Sequence, residues 1–350
     1  MPWRNDASGT IVLVVHGAEI FDSGEAAWLM KTLRPVRTIV AGVMARTAAE
    51  ESGLPVQFEG VPPSRVIRAI TEPVVFADHA KSPESGKIFG NIIASRLDRR
   101  GLVQIECLQK IINIWDEGDR NLVSGISCLT GYPLIYLSST CDQPGRERRI
   151  RGCLPGEPVY VNGIVIGRAT ENTIILRRNG SSIEVVRGII PKEHGIEKLR
   201  EMNPDLSTAW CKSGRIRSAL PFSSARKSAL YGRVVVIDHC GHELYAKLGP
   251  DCCGVLAIGD DTTAVCGHIC AHRGIGVLGI IDGDQDSVLP SAFAPESIVL
   301  EVRSGRDDDL GREVAQMVGG GPVEWDEWID LVLAHIGSRV RIMVDTREAR

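Results

Sequence analysis

The sequence has 350 residues with 37 Gly against 6 Trp, 5 Tyr and 6 Phe, is 43% hydrophobic and 24% charged, and carries a net charge of −4. The glycines follow no three-residue period and aliphatic runs recur throughout, which excludes collagen and bulk disorder. No apolar run reaches the roughly 18–20 residues that span a bilayer, and Met1-Pro2-Trp3-Arg4-Asn5-Asp6 opens no signal-peptide core, so a cytoplasmic protein without a membrane partner is expected.

Ile11–Val15 is a β-branched run that stops at His16-Gly17. Ala26, Leu29, Met30 and Leu33 then fall at helical spacing. Strands are expected at Val36–Val40, Val56–Phe58, Val74–Ala77 and Val103–Ile105. Helices are expected at Met44–Glu51, after Pro62-Pro63, and after Ser82-Pro83, where Ser is an N-cap and Pro takes the first helical position. Strands alternating with helices predict a mostly parallel, doubly wound sheet.

The pattern changes near residue 145. Arg146–Arg151 reads as a charged, loop-like linker. Pro158–Val161, Ile164–Ile166, Thr173–Leu176 and Ile183–Val186 read as short strands, with Asn162-Gly163 and Asn179-Gly180 as hairpin turns. Residues 193–230 read as helix plus linker. From Arg233 the α/β rhythm returns, with strands at Val234–Ile237, Gly254–Ile258, Val277–Ile281, Ile298–Val302 and Val340–Val344. Helices are expected at Thr263–His272, Leu310–Val318 and Trp325–Ile336. The expected organisation is an N-terminal Rossmann-like α/β domain (1–145), a small antiparallel β unit plus linker (146–230), and a C-terminal Rossmann-like α/β domain (231–350).

Charge is uneven: residues 1–237 carry +7, residues 238–309 carry −9, and the last 41 carry −2. The −9 segment repels phosphate backbones, so no nucleic-acid partner is expected, and it favours a divalent cation. Three successive strands there end in acids: Asp238, then Asp260 and Asp261, then Asp282, Asp284 and Asp286. The carboxyl ends of parallel strands share one edge, so these acids should converge. Mg²⁺ or Mn²⁺ would offset their repulsion, with Asp260, Asp261, Asp282 and Asp284 as ligands. The bland alternative is that Asp caps the helices that follow. An EF-hand fails, because Ser287 and Phe293 stand where Gly and Glu are needed. A Toprim pattern lacks its Glu.

His239, beside Asp238 at a strand end, is the histidine expected in the crevice, as acid or base. Thr262 and Thr263 open the helix after Asp261 and are candidate ligand contacts. Cys266, His268, Cys270 and His272 offer a rival soft-metal site on one helix. Lys192, His194, Gly195, Glu197 and Lys198 are expected in a loop closing over a site. In the N-terminal half, His16 and Gly17, and Lys81 and Ser82 before a helix start, suit a phosphate or carboxylate. His16 and His79 would face one another only if strands one and four are neighbours.

Val14-Val15-His16-Gly17 with Phe21-Asp22-Ser23-Gly24, the Asp78–Gly86 segment (DHAKSPESG), Ile258–Thr263 (IGDDTT) and Gly279–Asp286 (GIIDGDQD) resemble an uncharacterised archaeal family, found largely in methanogens and described as a domain of unknown function. The resemblance covers most of the chain. It implies an archaeal cytosolic protein and supplies no reaction. The acid-ended strands are also similar in layout to thiamine-pyrophosphokinase-type domains, which hold Mg²⁺ and nucleotide at strand-end Asp residues. The expectation is therefore a divalent-metal-dependent enzyme acting on a small phosphorylated or nucleotide-like ligand, able to form a homo-oligomer. The rival is a non-catalytic binding or assembly protein whose acidic loops are interaction surface and whose Trp325/Trp328 helix docks a partner.

Overall fold

The apolar run at Ile11–Val15 has no polar face, and it builds β1 (Val12–His16), a central strand buried on both sides. The computed structural model describes residues 11–98, 100–117, 120–140, 147–180, 182–207, 209–215, 217–220, 230–282, 289 and 293–347. β1 belongs to a seven-stranded sheet with β2 (Arg37–Ala41), β3 (Gln57–Glu59), β4 (Val74–Asp78), β5 (Leu102–Glu106), β6 (Ile111–Trp115) and β7 (Leu134–Leu137). The order is β3-β2-β1-β4-β5-β6-β7. Every pairing is parallel except β5 with β6.

Side chains alternate across a strand, so each face gathers its own core. Leu13 and Val15 pack with α1 (Glu19–Asp22), α2 (Glu25–Leu33), α3 (Val43–Ser52) and α6 (Arg120–Thr130). Val12 and Val14 pack on the other face with α4 (Pro63–Ala69) and α5 (Pro83–Ala94). The strand order reverses between β1 and β4, so His16 lies directly opposite Asp78.

The expected charged linker is instead partly strand. β8 (Glu147–Arg151) alternates an inward Ile150 with arginines, and Glu147 pairs with Arg177 at 2.7 Å. It pairs antiparallel with β11 (Thr173–Asn179) in a three-stranded sheet with β12 (Ser182–Arg187). A four-stranded sheet has the order β13 (Ile189–Pro191), β10 (Ile164–Ala169), β9 (Pro158–Val161), β14 (Cys211–Ser213). The chain divides into two compact units. One is residues 1–154 with 171–177 and 186–188, and the other is 155–170, 178–185 and 189–350.

The second unit holds a six-stranded sheet. Its strands are β15 (Tyr231–Asp238), β16 (Cys252–Ile258), β17 (Gly276–Ile281), β18 (Ile298–Val302), β19 (Val323–Glu324) and β20 (Val340–Asp345), in the order β19-β15-β16-β17-β18-β20. The four middle strands are parallel and the two edges antiparallel. They run in chain order, without the reversal found in the first sheet. The helices are α7 (Glu193–Met202), α8 (Leu244–Lys247), α9 (Asp260–Arg273), α10 (Asp307–Gln316) and α11 (Trp325–Ile336). The residues expected in a closing loop, 193–198, are helical because Ile196 and Leu199 give α7 a buried stripe. Among the described residues, no helix is long and apolar enough to cross a membrane.

Trp325 and Trp328 are not a docking face. They are 0% and 3% exposed, stacked at 5.6 Å between ring centroids, and Trp325 Nε1 donates to the Glu296 carbonyl at 2.9 Å. A Cβ on Gly254 would lie 2.1 Å from the Trp325 ring, so the glycine makes the seat for the indole. Trp325→Ala should therefore cost about 3–5 kcal/mol. Urea melts of the two proteins check this, and a loss below about 1 kcal/mol would mean that the ring is not a core element.

Candidate metal centre

Three helices of the second unit begin at one place. α9 follows β16 directly, through Gly259 at φ +99°, and the His239 ring leaves no room there for a side chain: Nε2 would be 3.0 Å from a Cβ. α10 starts with the run Asp307-Asp308-Asp309. α7 lies flat on β10, because a Cβ on Gly195 would be 2.0 Å from the Val165 carbonyl oxygen. None of the three has a side-chain N-cap bond. Their first turns, with Gly163, Lys192, His239 and Asp282, line a cavity of about 30 Å³. That is room for about one or two water-sized groups.

The carboxylates in this cavity are crowded and dry. Oxygens of Asp260, Asp282 and Asp307 lie within 4.8 Å of one another. Asp260, 6% exposed at its side chain, meets Lys192 Nζ at 3.3 Å through Oδ2, and its buried Oδ1 has no hydrogen-bond partner among the described residues. Lys192 also reaches Asp282 at 4.0 Å. His194 Nε2 is 3.0 Å from Asp282 Oδ2, at ion-pair distance but off the line of a hydrogen bond. Lys198 Nζ lies 2.7 Å from Asp307 and 3.2 Å from Asp308.

Burial, then the charge of Asp282, pushes the Asp260 carboxyl up to about 7, with Lys192 opposing. Burial likewise raises Asp261 to about 7, against the pull of Lys212 and His239. Asp307 is raised by burial in spite of Lys198. Burial works against a charged His239. Its hydrogen bond to Asp238 at 2.5 Å and the charge of Asp308, 3.4 Å from Nε2, outweigh this and raise its pKa. Asp238 is lowered, chiefly by that same bond.

Of the residues expected at this site, Asp260, Asp261, Asp282 and His239 line the cavity. Asp238 stands outside it, half exposed, and holds His239. Asp284 lies outside the described residues. Thr262 and Thr263 are buried in the first turn of α9 behind the cavity, with Thr263 against Gly279. Sequence reasoning did not select Asp307 and Asp308, since it began that helix at Leu310. The signal was present as three consecutive acids after a strand, an acidic first turn. Among the described residues, no group of three metal-ligating side chains includes Cys266, His268, Cys270 or His272. Cys266 and Cys270 are instead fully buried.

In the first unit β1 and β4 are neighbours, yet His16 and His79 engage different partners. His16 Nδ1 is 2.8 Å from the Ala41 carbonyl and its ring lies 5.0 Å from Phe89. His79 Nδ1 is 2.6 Å from Glu25. Gly17 turns the chain at φ +94°. Ser82 is engaged in a reciprocal cap with Ser85, and Lys81 is exposed beside it.

Residues 13–321 match the family described as "Uncharacterized protein conserved in archaea" (DUF2117). The chain belongs to this family. It is 31% identical over 327 residues, covering 86% of this chain and 89% of the other, to an uncharacterised protein of the methanogen Methanocaldococcus jannaschii. No solved structure matches it. The family match runs through both units, from β1 past α10, and so includes every residue of the carboxylate cavity.

Proposed function

We propose that the second unit of this archaeal protein is a divalent-cation-dependent catalytic centre for a phosphorylated or nucleotide-like ligand. Asp260, Asp282 and Asp307 would hold Mg²⁺ or Mn²⁺, with Asp261 beside them. The single observation that carries this reading is the buried Oδ1 of Asp260, an acceptor without a donor among the described residues, in a cavity where three carboxylates meet. An unpaired buried acceptor costs stability, and a hard cation is the group that satisfies several such oxygens at once. Asp284 belongs to the same proposed set.

Held by Asp260, Asp282 and Asp307, the cation would supply positive charge that offsets negative charge developing on a phosphate group. This chain's own groups supply the rest. The first turns of α7, α9 and α10 present their amide ends to an anion. His239, oriented by Asp238 and with a raised pKa, is placed to give a proton to a leaving oxygen,. The reversal of strand order at β1 and β4 supports a Rossmann-like reading of the first unit, with a ligand crevice at that edge. His16, Gly17, Lys81 and Ser82 would there serve a second ligand.

Calorimetric titration with Mn²⁺ tests the reading. One site per chain is expected, weakened at least tenfold in Asp282→Asn. Absence of binding to the wild-type protein would refute it.

A further inference from the structure

Lys192 and Lys198 come from one short stretch, yet each ammonium spans two carboxylates. Lys192 lies between Asp260 of α9 and Asp282 after β17, and Lys198 between Asp307 and Asp308 of α10. Asp260, Asp282 and Asp307 are the oxygens that stand within 4.8 Å of one another. The two lysines thus occupy the neighbourhood of the very groups that would ligate a cation. They do so incompletely, since Asp260 Oδ1 has no donor among the described residues.

We propose that Lys192 and Lys198 are exchangeable counter-ions, which a divalent cation entering among Asp260, Asp282 and Asp307 releases to bind an anionic phosphate group. Metal and phosphate then bind in that order and strengthen one another. The inference rests on the cation reading above and names the residues that couple it to the anion.

A divalent cation entering this cavity of about 30 Å³ would stand beside two ammonium groups that share the same carboxylates, and like charges that close repel strongly,. The backbone of α7 has little freedom to leave. It is seated on β10 through Gly195, and Arg306 at the start of α10 grips Glu197 at 3.3 Å and Glu201 at 3.1 Å. The lysines must therefore yield by rotating their long, flexible side chains. They remain at a place where three helix N-termini begin without side-chain caps, which is where an anion is favoured,. Metal binding would in this way convert a self-neutralised cluster into a phosphate clamp.

Titration calorimetry at one fixed pH tests the proposal with Mn²⁺ alone, inorganic phosphate alone, and phosphate added to the Mn²⁺-loaded protein. Phosphate should bind the loaded protein at least tenfold more tightly than the cation-free protein. Linkage requires the same factor for Mn²⁺ in the presence of phosphate. Lys192→Gln, having lost a competitor, should bind Mn²⁺ about tenfold more tightly than wild type and lose the phosphate enhancement. Lys192→Arg should keep it. Weaker Mn²⁺ binding by a folded Lys192→Gln, or an enhancement that survives the substitution, would overturn the exchange. Mn²⁺ binding to wild type without any phosphate coupling would overturn this inference alone. No Mn²⁺ binding at all would remove the cation reading on which it rests. Absence of coupling in the wild-type protein overturns the exchange even if the glutamine variant does not fold.

Discussion

Asp260→Asn should raise the melting temperature of the cation-free protein at pH 8 and abolish its response to Mg²⁺. Burial and the Asp282 charge raise this carboxyl from 3.8 to about 7. The unfolded chain is therefore ionised from about pH 4 upward, while the folded chain keeps its proton until about pH 7. Stability falls across that window and stays low above it. A net rise of this size, with the opposing pull of Lys192 already included, corresponds to a few kcal/mol, and the gain on neutralising the group is of that order,. Wild type should meanwhile gain about 2.7 kcal/mol when Mg²⁺ is present at 100 times its dissociation constant. The variant has lost a ligand and should gain nothing. Thermal melts with and without Mg²⁺ check both halves. A variant that is less stable at pH 8 and still responds to Mg²⁺ would show that Asp260 is a structural helix-start residue.

Asp78→Asn should produce the largest pH effect in the first unit. Asp78 and Glu106 end the adjacent strands β4 and β5, opposite one another and 4% and 0% exposed. Glu106 accepts from the backbone N–H groups of Ala80, Leu108 and Gln109. Burial first, and the Glu106 charge after it, push Asp78 up to about 8. The Gln104 amide opposes this by donating to Oδ1 at 2.9 Å. Trp115 Nε1 donates to the Gln104 oxygen at 2.9 Å, which fixes the way that amide points. The sign follows as before: the contribution of Asp78 is best below pH 4 and is lost progressively as pH rises to about 8. Asparagine keeps the acceptor for Gln104 and cannot ionise. Chemical melts at pH 5, 7 and 9 should show an advantage over wild type that is smallest at pH 5 and larger by about 2–4 kcal/mol at pH 9. Parallel pH profiles for the two proteins would contradict it.

The sheets were legible in the sequence where one signal was unopposed. The apolar runs at Val234–Ile237, Gly254–Ile258 and Val277–Ile281 are bounded by Gly and Asp, and each is a strand. Glu147–Arg151 misled because an antiparallel strand with one wet face buries only Ile150, and its arginines dominate the pattern. β6 and β7 were missed because Ile111–Trp115 carries a polar Asn113 inside an apolar run, and no turn signal marks its antiparallel return along β5. Strand order is a tertiary property, so neither the reversal at β1 and β4 nor the uninterrupted order of β15 to β18 could be read locally. At the site, Asp260, Asp261, Asp282 and His239 were visible as strand-end groups. Lys192 stands 68 residues from Asp260 and Lys198 stands 109 residues from Asp307, and only the fold brings these groups together.

Diffraction from crystals grown with Mn²⁺, with the anomalous signal measured at the manganese edge, tests the central claim most directly. The account predicts one peak per chain among Asp260, Asp282 and Asp307, with oxygens at roughly 2.0–2.3 Å as for hard divalent cations, and with Lys192 and Lys198 withdrawn from those carboxylates. Ammonium groups still seated on the carboxylates, with no peak between them or a peak elsewhere in the chain, would contradict it.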